Sequence, residues 1–293
     1  MRKVFTNTVT QILESNSNSA LLLGDIGVYG FREVLKLYPN RAFNIGILEQ
    51  SMVSVGAGFS SEGIIPIIHT IAPFIVERAL EQIKIDFGYQ NLPGNFVSVG
   101  ASFDYAKLGC THHCPGDVNI LSNIPGLNIF IPGHSKELET QLLNYWDSGA
   151  VNYFRISEHQ NLEAFRLELG EIRKIKDGSR GIIIVVGPFL GEALESLTDL
   201  DIEIHYANSI DGSNSMIVNS NFPENKVIIY EPYYSGALLS KIHEQISLNR
   251  CNTLQIGVPK KFLEQYGTYR EHLVNLQLDS NSLRKKVKDF LKI

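Results

Sequence analysis

Cysteine is scarce in this chain, with only Cys110, Cys114 and Cys251 among 293 residues. So few thiols cannot staple a fold, which excludes a disulfide scaffold and points to a reducing, cytoplasmic compartment. No extended Lys/Arg block occurs, and 26 basic against 31 acidic residues leave a formal net charge of −5. Neither nucleic acid nor an anionic membrane is the expected partner of such a surface. No apolar run approaches the ~18 residues that a membrane span needs. The opening segment, MRKVFTNTVTQILESNSNS, turns polar too early for a signal peptide. What is present is ordinary for a folded protein: 44% hydrophobic and 19% charged residues exclude wholesale disorder. At roughly 150 residues per domain, the length predicts about two domains.

Strands and helices alternate along the chain. Short apolar runs ending in turn residues predict buried strands at 20–27, 43–46, 64–71, 95–102, 127–133 and 152–157. Pro66 should sit near the start of its strand. Helices are expected from Glu49 to about Glu62, with Gly56 and Gly58 permitting close packing, and from Phe74 to Phe87. Another should open on a Ser135 N-cap and run to about Trp146. A charged stretch, LEAFRLELGEIRKIKDGSRG (162–181), reads as irregular and as the domain boundary. The pattern then restarts, with strands at 181–187, 202–210, 226–232 and 253–259 and helices at 191–197, 236–246 and 282–293. Such alternation implies parallel sheets. The predicted fold class is therefore α/β, in two layered domains spanning 1–165 and 178–293.

Reactive side chains are densest at Cys110-Thr111-His112-His113-Cys114. Cys and His suit zinc, but adjacent side chains in so tight a run cannot all converge on one tetrahedral ion. A loop carrying one working histidine after Gly109 fits the pattern better, and no metal ligands are assigned. Glu49 stands at a strand-to-helix junction behind Ile45, Ile47 and Leu48. An acidic residue there is what the dipole of a first helical turn favours; it is equally a carboxyl that a dry pocket could hold for chemistry. Asp25 ends the first strand, where parallel sheets place ligands, although a turn residue would look the same. On residue type alone Phe74 and His69 pass as core and Arg155 as surface.

Taken together, three runs resemble the C-terminal half of the transketolase family of thiamine-diphosphate enzymes. NIGILEQSMVSVGAGFSSEGIIPIIHT is similar to the family's strand, glutamate and following helix. APFIVERALEQIKID resembles its aromatic-bearing helix, and GCTHHCPGDVNILSNIPGLNIFIPG its Gly-Pro-Thr-His-Gln loop and next strand. GPFLGEALESL, IIYEPYYSGALLSKI and IGVPKKFLEQYGT resemble its C-terminal domain, so the likeness covers nearly the whole chain. It implies a pyrimidine-binding domain over 1–165 and a transketolase C-terminal domain over 178–293. It also implies that the Glu49 carboxyl, protonated in an apolar site, hydrogen-bonds the cofactor's aminopyrimidine ring. Phe74 would stack on that ring, with Asp25 at its edge and Ile71 beside it. His112 would contact the substrate's oxygens, with His69 near the thiazolium side and Arg155 toward the substrate.

The family binds diphosphate through Mg²⁺ with a Gly-Asp-Gly…Asn motif in a separate N-terminal domain, and no Gly-Asp-Gly occurs here. The resemblance therefore implies a split enzyme, in an α2β2 assembly, whose N-terminal partner subunit supplies the Mg²⁺ ligands. The expected reaction is transfer of a two-carbon ketol unit from a ketose to an aldehyde. Three departures bear on substrate: Leu108 replaces an aspartate, Gly100 a phosphate-contacting histidine, and Glu158 an arginine that clamps the acceptor phosphate. A carboxylate repels phosphate where arginine would grip it. An unusual or non-phosphorylated sugar is the expected substrate. Two alternatives remain: the beta subunit of a 2-oxoacid dehydrogenase first component, and a non-catalytic scaffold or regulatory subunit. The Gly109-Cys110-Thr111-His112-His113 run is closer to the transketolase loop than to the His-Ser-Gln-Ser of the dehydrogenases.

Overall fold

The structure, a computed structural model, describes residues 1–213, 216–218, 226–242 and 252–293. Cys251, and residues 243–246 of the helix expected over 236–246, lie outside the described residues. Aliphatic runs buried on both faces become parallel strands, because helices covering both sides of such a sheet leave no polar face. The first six are β1 (Ser19–Leu23), β2 (Ala42–Asn44), β3 (Ile65–Ile71), β4 (Gly94–Val99), β5 (Leu127–Phe130) and β6 (Val151–Ile156). The second half supplies β7 (Glu171–Lys176), β8 (Ile182–Val186), β9 (Glu203–Ala207), β10 (Ser209–Ile210), β11 (Ile217–Val218), β12 (Lys226–Tyr234) and β13 (Asn252–Val258). Among the described residues they form a seven-stranded sheet, β10-β5-β6-β4-β3-β1-β2, and a six-stranded sheet, β11-β7-β9-β8-β12-β13. The expected α/β class is borne out.

Helices cover the sheets. In the first half they are α1 (Arg2–Ser15), α2 (Arg32–Leu37), α3 (Glu49–Ser61), α4 (Ala72–Val76), α5 (Leu80–Gln82), α6 (Asp117–Leu121) and α7 (Ser135–Tyr145). In the second they are α8 (Leu190–Leu197), α9 (Ala237–Ile242), α10 (Tyr269–Asn275) and α11 (Ser280–Leu291). No helix among the described residues is long and apolar enough to cross a membrane. One buried cluster runs from Leu22 and Ile68 of the first sheet through Ile129 to Ile184, Ile229 and Tyr233 of the second, so the sheets share a continuous apolar core. Two further clusters lie under α1 and α7 and under α8 and α11.

Several elements depart from the sequence expectation. The sheets are not wholly parallel: β7 runs antiparallel to β9, and β10 antiparallel to β5. The single strand expected over 202–210 is two, and the second returns to the first sheet. The charged 162–181 stretch contains β7, whose Ile172 is buried while Arg173 pairs with Glu171 at its edge. β7 lies between β11 and β9, and its exposed Arg173 and Lys174 hid it in the sequence. The segment 2–15, whose polarity masks a helix in the sequence, is helical because Phe5, Val9, Ile12 and Leu13 fall on one face. The N-cap of α7 is His134, whose Nδ1 accepts from the Lys136 N–H at 3.1 Å, rather than Ser135. Pro66 does sit near the start of β3.

Candidate functional site

The chain leaves β2 through Gly46, whose φ of +81° a side chain would strain, and enters α3 at Glu49. That turn buries the Glu49 side chain to 1% exposure. Its Oε2 accepts from Arg78 Nη1 at 2.6 Å, and its Oε1 is buried without a hydrogen-bond partner. Arg78 reaches Glu49 because the helix expected over Phe74–Phe87 is interrupted. α4 stops at Val76, residues 77–79 form a bend, and a π-helical segment, Ile83–Tyr89, follows α5. The Arg78 Cζ then lies 4.4 Å from the centroid of the Phe74 ring. The Phe74 ring meets the His112 imidazole edge-on at 5.4 Å. Glu49 and Phe74, far apart in sequence, thus meet one guanidinium, and His112 joins them through the Phe74 ring. The expectation of an apolar carboxyl site needs this correction: a cation stands on Glu49.

His69 and Ile71 lie on one face of β3, two residues apart. His69 Nδ1 is 2.8 Å from the Val97 carbonyl, which can only accept, so this nitrogen carries the proton and Nε2 is left as an acceptor. Burial lowers its pKa to about 4, keeping the imidazole neutral. Asp25, at φ +64° just past β1, exchanges hydrogen bonds with Asn44: its N–H donates to Oδ1 at 3.0 Å, and its Oδ1 accepts from Nδ2 at 3.3 Å. Asn44 Oδ1 also accepts from the Gly46 N–H at 3.2 Å, tying Asp25 to the turn that delivers Glu49. Asp25 and His69 line a cleft of about 660 Å³ together with Arg2 and Tyr105. Ile71 is buried in the cluster against which Phe74 and Tyr105 pack.

Arg155 is not brought to this group. It is buried on β6, with Nε donating to Asp117 Oδ2 at 2.7 Å and Nη2 to Ser102 Oγ at 2.6 Å. Its Cζ lies 5.7 Å from the Tyr233 ring of the second half. A guanidinium so engaged has no solvent face for a substrate, so the expectations of a surface residue and of a substrate contact both give way to a core ion pair. Of the three departures, Leu108 is exposed and Gly100 has the Tyr105 ring where a side chain would stand. Glu158 pairs with Arg2 at 3.0 Å. Arg2 also donates to the Tyr105 hydroxyl.

The reactive run disperses. Cys110 is exposed; Cys114 is buried, its Sγ 3.6 Å from Glu77 Oε1, and burial pushes its thiol well above the ordinary value. His113 turns inward to meet His272 edge-on at 5.4 Å, and burial, with His272 next, lowers its pKa to about 4. Among the described residues, no group of three or more His, Cys, Asp or Glu could hold a metal ion. Arg78, Arg2 and Tyr105 escaped the sequence reading. Arg78 had one signal, a cation four residues after Phe74 within an apolar run; the pairing of Arg2 with Glu158, across 156 positions, had none.

Residues 1–161 match the family model described as transketolase, pyrimidine binding domain. An uncharacterised 33.6 kDa protein of the fasciation locus in Rhodococcoides fascians is 32% identical over 99% of this chain and 95% of its own length. The 1-deoxy-D-xylulose-5-phosphate synthase of Aliivibrio fischeri is 30% identical over 87% of this chain, which spans only 43% of that enzyme. An apulose-4-phosphate transketolase subunit of Phocaeicola vulgatus is 25% identical over 99% of this chain and 97% of its own. A solved structure described as a split gene transketolase, inactive beta4 tetramer, superposes with a TM-score of 0.84 at 21% identity, over 99% of this chain and 97% of that one.

Proposed function

The chain belongs to the transketolase family, and from that premise we propose that it is the C-terminal subunit of a split thiamine-diphosphate enzyme that moves a two-carbon ketol unit from a ketose to an aldehyde. The observation that carries this reading is the buried carboxyl of Glu49, whose Oε1 has no partner, held in one cluster with Phe74 and His112. An orphaned buried oxygen is costly unless something meets it, and a carboxyl in the protonated form that the resemblance implies would donate from it to an aminopyrimidine ring nitrogen. Glu49 would hold that ring, Phe74 would pack on it, and the half-buried His112 would face the substrate's oxygens. Bound there, thiamine diphosphate supplies the electron sink for the carbanion, while the protein supplies position and electrostatics.

A partner subunit carrying the diphosphate and Mg²⁺ ligands, in an α2β2 assembly, completes the proposal. It is supported by the likeness to a protein named as a transketolase subunit and to one described as an inactive beta4 tetramer. It is also supported by large apolar side chains left exposed beside Glu49, Ile47 at 67% and Leu48 at 59%. Exposed apolar surface of this kind marks interaction sites. The first sheet, apart from β10, would correspond to the domain at 1–165, and the second sheet to that at 178–293, with β7 at Glu171–Lys176 lying ahead of the expected boundary. At the substrate end we favour an unusual or non-phosphorylated sugar, since Glu158 already holds Arg2 and Tyr105 fills the space at Gly100.

Arg78 on Glu49 lends some support to a non-catalytic scaffold, and one variant separates the readings. In the assembled complex Glu49→Gln should lower the rate of ketol transfer by a factor on the order of a hundred or more. A scaffold subunit would leave the assembled complex fully active with the same change.

A further inference from the structure

Arg78 touches both groups that the proposed function gives to the cofactor ring. Nη1 stands 2.6 Å from Glu49 Oε2, and Cζ lies 4.4 Å from the Phe74 centroid, within the range of a cation–π contact. Phe74 also packs against the buried cluster that holds Ile71, and its ring meets His112. The guanidinium lies over the Phe74 ring, on which a heterocycle would stack. Nor is Arg78 locked in place. Its side chain is 41% exposed, it sits in the bend between α4 and α5, and Glu49 is its ion-pair partner among the described residues.

We propose that the Arg78 guanidinium competes with the cofactor's aminopyrimidine ring for Glu49 and Phe74, and so sets cofactor affinity. The inference rests on the thiamine-diphosphate reading above. When the ring enters, the planar guanidinium leaves the Phe74 face and turns to water, and the Glu49 carboxylate exchanges its ion pair for a proton taken from solvent, which it then donates in a hydrogen bond to the ring nitrogen. A buried carboxylate stripped of its partner is costly, so departure of Arg78 and arrival of the ring are coupled. Arg78 is a positioning residue in this account, acting through Glu49 and Phe74 rather than on substrate.

The test uses the protein with whatever subunit it carries in its own host, stripped of cofactor and titrated calorimetrically with thiamine diphosphate and Mg²⁺. Arg78→Met, which removes the competitor, should bind on the order of tenfold tighter than the unmodified protein. Arg78→Lys keeps a charge for Glu49 but has no flat face for Phe74, and should fall between the two. A variant-free readout follows Arg78 labelling by phenylglyoxal through peptide mass spectrometry, and saturating thiamine diphosphate should accelerate it. Equal or weaker binding by Arg78→Met, or labelling that the cofactor leaves unchanged or slows, overturns the competition while detectable binding keeps the cofactor reading. No binding to the unmodified assembly overturns both.

Discussion

Asp104 shows how much a single buried side chain can contribute to the pH behaviour of this fold. Its carboxyl accepts from the Ser157 hydroxyl at 3.1 Å and the Glu158 N–H at 2.9 Å, yet burial raises its pKa from 3.8 to about 7. A carboxyl whose folded pKa is raised binds its proton more tightly when folded. Its stabilisation is complete below about pH 4 and is lost as pH climbs through 7. His69 and His113, both lowered to about 4, act in the opposite sense and lose stability as pH falls from 6.5 through 4. Asp104→Asn isolates the first effect, because an amide cannot ionise. Relative to the unmodified chain, the variant should gain on the order of 2 kcal/mol between pH 5 and pH 8, read from denaturant midpoints. A gap that stays constant between the two pH values would refute the assignment. At this scale the sequence singles out residues that belong to a local motif, as the runs around Glu49, Phe74 and His112 do, and the structure places these three near one another. Arg155 was misread because its partners, Asp117 and the Tyr233 ring, lie 38 and 78 positions away, and no local pattern signals a buried ion pair.

Helix α3 shows the same contrast along one element. Gly56 and Gly58 look alike in sequence, but a side-chain carbon on Gly56 would stand 2.6 Å from Ile68 Cδ1 and 3.3 Å from Leu22 Cδ1, whereas one on Gly58 meets nothing within 4 Å. Gly56 allows α3 to approach β3 and so fixes the height of Glu49 over the sheet; Gly58 faces outward. Either glycine costs a helix roughly 1 kcal/mol against alanine, so the propensity gain cancels between the two alanine variants. In the isolated subunit, Gly58→Ala should exceed Gly56→Ala in unfolding free energy by about 1–3 kcal/mol, the usual cost of overpacking. Equal stabilities would mean that the α3–β3 contact is looser than described. Apolar strands such as β1, β3 and β8 were plain from their aliphatic runs. The break after α4, on which the Arg78 contact depends, was not, because Glu77, Arg78 and Ala79 all suit a helix and only tertiary packing interrupts it. β10 was hidden for a different reason: Asn208 and Ser209 are the only turn-type residues between β9 and Ile210, too short an interruption to mark a change of sheet.

At the scale of the molecule, the second half of the chain completes the first. β10 adds an edge strand to the first sheet, the apolar core runs through both sheets, and the Arg155–Asp117 pair is capped by Tyr233. At the start of α3, away from this core, Glu49 is buried beside exposed Ile47 and Leu48. Under the function proposed above, a second chain would close this surface and bring the remainder of a thiamine-diphosphate site. Native mass spectrometry of the protein purified from its own host tests that claim most directly, with a denatured aliquot scanned for thiamine diphosphate. The account predicts a stoichiometric partner subunit of similar size and bound cofactor. A homo-oligomer with neither partner nor cofactor would contradict it.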